Sequence, residues 1–258
     1  GGRTHVARIL NAPDGGKSLI GTEVSVCGWV KTMRDQATAI FLEVNDGSCP
    51  GNIQVVIDKA AKGTENMTAE GKCGTGASVR CTGKLVEPPK GAKQTVELVL
   101  TATSGEFKLF GGVDAKSYPL AKGRHGMEFL RTIAHLRPRS NLISAVARVR
   151  SALAFATHEF FRSRGFLYVH TPLITAADCE GAGEMFQVTT MMGDEKKGIP
   201  KTKDGKIDYS QDFFGKPSYL TVSGQLSVEN YACALSSVYT FGPTFRAENS
   251  HTSRHLAE

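Results

Sequence analysis

The chain has 258 residues, a formal net charge of +6, a pI near 9.0 and 40% hydrophobic residues, which is enough for two domains of ordinary size. That balance suits a polyanionic partner without requiring one, and no apolar run approaches the roughly 18 residues of a membrane span. The cysteines, Cys27, Cys49, Cys73, Cys81, Cys179 and Cys233, form no C-x-x-C and the N-terminus shows no signal-peptide core, so the expectation is a cytoplasmic protein with free thiols and no metal site.

Residues 1–19 read as an N-terminal extension. Residues 22–31, with Val24, Val26, Trp29 and Val30, and residues 39–44 are strand-like by content and length. Asn45, Asp46, Gly47 and Ser48 form a turn signal, and further strands are expected over 53–57, 77–86 and 95–104, with a short helix over 58–68. Five strands with a helix between the third and fourth predict a small β-barrel over 20–112. Taken alone, Phe41 reads as a core aromatic. Residues 113–139 read as a hinge: Lys116, Lys122, Arg124, Arg131, Arg137 and Arg139 face only Asp114 and Glu128, and Pro119, Gly123, Gly126 and Pro138 interrupt any regular element. Such a basic connector is either solvated or laid against a nucleic-acid backbone.

In residues 140–258, Ser140 caps a predicted helix that runs to about Arg164, with Leu142, Val146, Val149, Leu153, Ala156 and Phe160 along one stripe and Gly165 as its stop. A strand over 166–173 runs into Pro172, whose nitrogen cannot donate to a ladder. Glu180 and Glu184 follow in a glycine-containing acidic loop, a strand is expected over 186–190, and residues 191–212 read as an exposed, mobile insertion. Residues 219–229 then turn from strand to helix, placing Ser223, Gln225 and Glu229 at or just past the helix start. Strands over 238–241 and 244–247 put Arg246 and Glu248 on one face. The polar residues 249–255, among them Arg254 and His255, read as a connection arched over a ligand. A guanidinium there forks onto a phosphate and a carboxylate accepts from an exocyclic amine, although a salt-bridged hairpin needs the same residues.

Phe245-Arg246-Ala247-Glu248, followed by Arg254-His255, resembles motif 2 of the class II aminoacyl-tRNA synthetases, within the subgroup that activates asparagine, aspartate or lysine. The long helix, Gly165-Phe166, the strand and Thr171-Pro172 look like motif 1 of that family. Val26-Cys27-Gly28-Trp29-Val30, Arg34-Asp35, Ile40-Phe41, Asn45-Asp46-Gly47 and Ile53-Gln54-Val55 resemble its anticodon-binding domain. The resemblance implies an N-terminal five-stranded OB-fold barrel followed by the N-terminal part of a class II catalytic domain with an antiparallel sheet. It implies that Arg246 is the catalytic cation on the ATP α-phosphate, that Glu248 lies near the adenine, and that His255, with Arg254 beside it, meets the γ-phosphate. Glu180, with Glu184 a lesser candidate, would meet the α-ammonium of the amino acid, and Ser223, Gln225 and Glu229 its side chain. Phe41 would stack on the middle anticodon uridine, with Gln54 hydrogen-bonding to the anticodon and Arg34 in support, while Pro172 would sit in a dimer interface.

Val228 and Glu229 stand where aspartate-activating relatives carry a lysine, so the resemblance points to asparagine as the amino acid, with ATP, Mg2+ and tRNA(Asn) as the other participants and a homodimer as the assembly. An aspartate-activating relative of archaeal or eukaryotic type and a non-catalytic RNA-binding paralogue share much of the same pattern. The family's third, glycine-rich motif does not appear, so this chain by itself is expected to be incomplete for catalysis.

Overall fold

The computed structural model describes residues 2–68, 73–114, 116–121, 123–177, 185–193 and 198–247. The chain divides into two compact units, Gly1–Arg150 and Ser151–Glu258. The first carries α1 (Val6–Leu10), β1 (Glu23–Asp35), β2 (Ala39–Asn45), β3 (Ile53–Asp58), α2 (Glu65–Thr68), β4 (Ser78–Val86), β5 (Glu97–Leu100), β6 (Glu106–Gly111) and α3 (Met127–Thr132). Helix α4 (Asn141–Arg162) spans the division, and the second unit continues with β7 (Leu167–Tyr168), β8 (Ile174–Thr175), β9 (Gln187–Val188), β10 (Ser218–Leu220), α5 (Gln225–Leu235) and β11 (Val238–Tyr239).

Alternation builds the barrel. Ile40, Leu42 and Val44 of β2 and Ile53, Val55 and Ile57 of β3 are buried, while the residues between them face outward, the period of two that a half-buried strand requires. Strand β1 is long enough to pair twice, antiparallel to β2 through Trp29–Asp35 and to β4 through Glu23–Trp29. This double pairing closes the order β1-β2-β3-β5-β4 back on β1, with β3 and β5 as the parallel pair, and closure removes the free edges. The strand expected over 95–104 stops at Leu100, because Thr101 and Ser104 bond to one another in a turn, the Thr101 N–H donating to the Ser104 carbonyl at 2.8 Å. Strand β6 then resumes on the same edge of β4. The helix expected over 58–68 contracts to α2. Gly63 takes a left-handed φ of +91°, which ends any helical run, and the Ala60 N–H donates to Asp58 Oδ1 at 2.8 Å in a local turn.

The N-terminal residues belong to the barrel. Val6 and Ile9 of α1 are fully buried in its core. Asp46, in the turn after β2, accepts from the Val6 N–H at 3.1 Å, from the Ser48 hydroxyl at 2.5 Å and from Arg3 at 3.3 Å. Burial alone would raise the Asp46 carboxyl, but the Ser48 side-chain and backbone donors, with Val6 and Arg3, hold it at about 2. The hinge is also anchored: Leu130 of α3 is buried, the Arg139 guanidinium lies 4.5 Å from the Trp29 ring centroid, and Lys31 Nζ donates to the Arg139 carbonyl at 2.6 Å.

The Ser140 cap of α4 is present, its hydroxyl accepting from the Ile143 N–H at 3.3 Å. In the second unit β10 lies between β8 and β9 in an antiparallel sheet, and β11 runs parallel to β7. The segment expected to be a mobile insertion is partly ordered. Lys201 and Ile207 form a bridge, residues 209–211 form a 3-10 turn, and the Asp212 carboxylate, 8% exposed, accepts from the Thr190 N–H and hydroxyl at 2.9 Å each. Hydrogen bonding by the Thr189 side chain and the Thr190 backbone holds that carboxyl at about 2.

Candidate functional site

Two sets of polar residues stand out, one on each unit. On the barrel, register places Arg34 opposite Phe41 and Phe41 opposite Val56, while Thr32 faces Glu43 and Glu43 faces Gln54. These rows share the outward face, since Leu42, Val44, Ile53 and Val55 take the inward positions. The Arg34 guanidinium lies 5.7 Å from the Phe41 ring centroid. Gln54 Nε2 donates to Glu97 Oε1 at 2.8 Å, and Gln94 Nε2 donates to the same oxygen. Glu97 is only 5% exposed, so the carboxylate fixes the plane of the Gln54 amide. A flanked ring beside an oriented amide stacks a splayed base and reads its edge. Phe41 is therefore a surface aromatic of the barrel and not a core one. Glu97 and Gln94 escape a reading by local motif because they lie 43 and 40 residues from Gln54; the signal for Glu97 is a charged residue opening the otherwise apolar strand Glu-Leu-Val-Leu.

On the second unit, Ser223 and Gln225 open α5. The Ser223 hydroxyl accepts from the Gln225 N–H at 3.1 Å, and the Ser223 carbonyl accepts from the Thr221 hydroxyl at 2.5 Å. One helical turn on, Gln225 Nε2 donates to Glu229 Oε1 at 2.9 Å, the i, i+4 geometry that sets two side chains side by side. Glu229 is exposed and is the only charged residue in α5. A cleft beside this turn is lined by His170, Thr171, Thr221, Gly224, Thr240 and Phe241. A Cβ at position 224 would lie 2.6 Å from the Thr171 hydroxyl and 3.0 Å from that of Thr240, so glycine is what lets the helix start approach both threonines.

An aromatic cluster fixes β11 beneath that cleft. Phe161 of α4 stacks on Tyr239 with ring centroids 4.5 Å apart, and the Tyr239 hydroxyl lies 2.7 Å from His158 Nδ1. Tyr168 donates to the Phe241 carbonyl at 3.2 Å. Residues 244–247 do not form the expected second strand; the Phe245 N–H donates to the Thr221 carbonyl at 2.9 Å, beside β10, without building a ladder. A hairpin needs two arms in register, and the residues following Ala247 lie outside the described ones. The shared strand face expected for Arg246 and Glu248 is therefore not formed by the described residues; Arg246 is exposed, as is Pro172. Glu180, Glu184, Glu248, Arg254 and His255 lie outside the described residues.

Residues 126–258 match the family model for tRNA synthetases class II (D, K and N), and residues 24–106 match that for the OB-fold nucleic acid binding domain. The chain is 53% identical to an asparagine–tRNA ligase of Protochlamydia amoebophila over 99% of its own length and 53% of that protein. It is 52% identical to the chloroplastic/mitochondrial asparagine–tRNA ligase of Arabidopsis thaliana, covering 99% of the chain and 45% of the relative. Among solved structures, asparaginyl-tRNA synthetase from Pyrococcus horikoshii complexed with asparaginyl-adenylate superposes with a TM-score of 0.75 at 25% identity, over 99% of this chain and 51% of that one. The chain spans about half the length of the curated relatives it matches.

Proposed function

Because the chain belongs to the class II tRNA synthetases of the D, K and N group, we propose that its residues serve a ligase of the relatives' full length that activates asparagine with ATP and charges tRNA(Asn). In the first step a carboxylate oxygen of asparagine bonds to the ATP α-phosphorus as the bond from that phosphorus to the pyrophosphate oxygen breaks. In the second, the adenosine 3′ end of the tRNA takes the aminoacyl group and AMP departs. No protein nucleophile enters either step, so the protein's work is positioning and charge neutralisation.

Arg246 neutralises charge on the α-phosphate, Glu248 holds the adenine, and Arg254 and His255 meet the γ-phosphate. ATP brings Mg2+ with its phosphates, and no described residue is assigned to the ion. Glu180 meets the α-ammonium group, while Ser223, Gln225 and Glu229 receive the side chain. On the barrel Phe41 stacks on the middle anticodon base, Gln54 reads an edge, and Arg34 supports the ring. The ligase is a cytoplasmic homodimer with Pro172 at the interface. Support for the dimer comes from α4, none of whose apolar residues is buried, a stripe that a second copy would cover.

What carries the choice of asparagine is that Glu229 is the only charge on α5 and sits within a hydrogen bond of Gln225. An acceptor of this kind takes the carboxamide NH2, whereas an aspartate side chain would meet a like charge with no cation on that helix to offset it. The relatives' names agree. The test is amino-acid-dependent pyrophosphate exchange by the full-length ligase. Exchange with asparagine at least about 100-fold faster than with aspartate or lysine is expected, on the scale by which charge recognition separates analogues; exchange driven by aspartate would refute the assignment.

A further inference from the structure

Strand β6, paired with β4, carries an exposed aromatic that the anticodon reading does not use. Phe110 is 54% exposed, the most exposed large apolar side chain of the barrel strands among the described residues. Two cations attend it: the Arg80 guanidinium lies 5.7 Å and Lys108 Nζ 5.6 Å from its ring centroid. Register sets Arg80 directly opposite Lys108. A like-charged cross-strand pair is unfavourable in a sheet, and an exposed ring gains nothing in the barrel's own core. Glu106, opposite Thr82 on this face, is bound by Lys62 at 2.8 Å, and its carboxyl is lowered first by that bond, with Arg80 and Lys108 contributing less. The neighbouring pair is polar too, the Thr82 hydroxyl donating to Ser25 Oγ at 3.0 Å.

The arrangement repeats the chemistry of Phe41 under Arg34 on different strands and with a second cation. A lone ring with a polar surround and two like charges does not make the apolar patch of a protein interface. It does match a nucleotide, whose base offers a flat face and whose phosphates offer the counter-charge. We propose that Phe110, Arg80 and Lys108 form a second nucleotide platform, which stacks one unpaired base of the tRNA outside the anticodon and holds its flanking phosphates. The proposal rests on the tRNA-binding reading above.

The experiment titrates the 258-residue chain with a tRNA(Asn) transcript and with the same transcript changed at the middle anticodon base. Phe110→Ala is expected to weaken both by one common factor of roughly 5- to 100-fold, the range for losing one stacked base. Phe110→Trp should restore binding and Phe110→Leu should not. Lys108→Ala should reduce the slope of log affinity against log salt by about 1, the signature of one phosphate contact. The anticodon reading is measured by the ratio between transcripts and this site by the common factor, so failure of either is visible separately. Phe110→Ala binding within two-fold of the parent overturns the proposal, and so does rescue by Phe110→Leu. An effect confined to one transcript would place Phe110 in the anticodon site and overturn it as well, as would unchanged tRNA affinity accompanied by an altered oligomeric mass, which would make the patch a protein contact.

Discussion

In the barrel, Ile40 is 1% exposed and Leu42 and Val44 are fully buried, whereas in the second unit Leu153 is 62% exposed and Phe155 72%. Among the described residues Val169 and Val222 are the only buried apolar side chains of that unit. The difference follows from how each satisfies its backbone and apolar surface. Six strand segments close on one another in the first unit, so hydrogen bonds and core are completed by neighbours within about a hundred residues. In the second unit, whose strands are two or three residues long, neither residues 151–162 of α4 nor α5 carries a buried side chain. A closed barrel holds its outward face by itself; the turn at Ser223 is built where the adjoining helix α5 buries no side chain.

The contrast breaks most directly at the core. Leu42→Ala should destabilise the barrel by about 2–5 kcal/mol, the cost of an emptied core site, while Leu153→Ala in the 258-residue chain should stay within about 0.5 kcal/mol. Denaturant unfolding followed by fluorescence of Trp29, the single tryptophan, reports the barrel. Equal shifts for the two variants would erase the distinction drawn between the units.

The next effect is catalytic. Arg246→Ala in the full-length ligase should slow adenylate formation by at least about 100-fold, the scale of removing one preorganised charge contact from a transition state. An exchange rate within a few-fold of the parent would make Arg246 a surface residue of the second unit.

What was legible follows the same division. The strand content of residues 39–44 and the Ser140 cap are local signals, and both appear in the structure, the strand one residue longer than expected. Three features were not legible because their causes are not local. Helix α1 is too short to show periodicity, yet Val6 and Ile9 are core residues. Glu97 meets Gln54 only because β3 and β5 run parallel. Residues 244–247 have the content of a strand, but pairing and not content makes one, and the backbone bond from the Phe245 N–H to the Thr221 carbonyl builds no ladder. Arg34, Phe41 and Gln54 could be singled out from motif alone, while the Glu97 partner of Gln54 could not.

A smaller effect sharpens the barrel side. Phe41→Ala should cost roughly 1–3 kcal/mol in tRNA affinity and abolish the preference for a middle uridine; titrations at fixed salt that gave the mutant the parent's preference would remove Phe41 from the anticodon site. The smallest effect distinguishes the units by pH. The carboxyls of Asp46 and Asp212 are both held at about 2, below the ordinary 3.8. A lowered folded value stabilises above the ordinary value, and that contribution is lost as pH falls from near 4 toward 2. Asp46→Asn should flatten the pH dependence of the Trp29-reported transition in that window, and Asp212→Asn should leave it unchanged, because Asp212 belongs to the other unit.

The choice of amino acid is tested most directly at Glu229. Glu229→Gln keeps the shape beside Gln225 and removes the one charge on α5. The measurement is the ratio of kcat/KM for asparagine over aspartate in pyrophosphate exchange by the full-length ligase, for the parent and the variant. A reader that rejects aspartate by like charge predicts that the ratio falls by about tenfold or more, since each tenfold corresponds to about 1.4 kcal/mol of discrimination. An unchanged ratio would contradict the account and move selectivity away from the turn at Ser223.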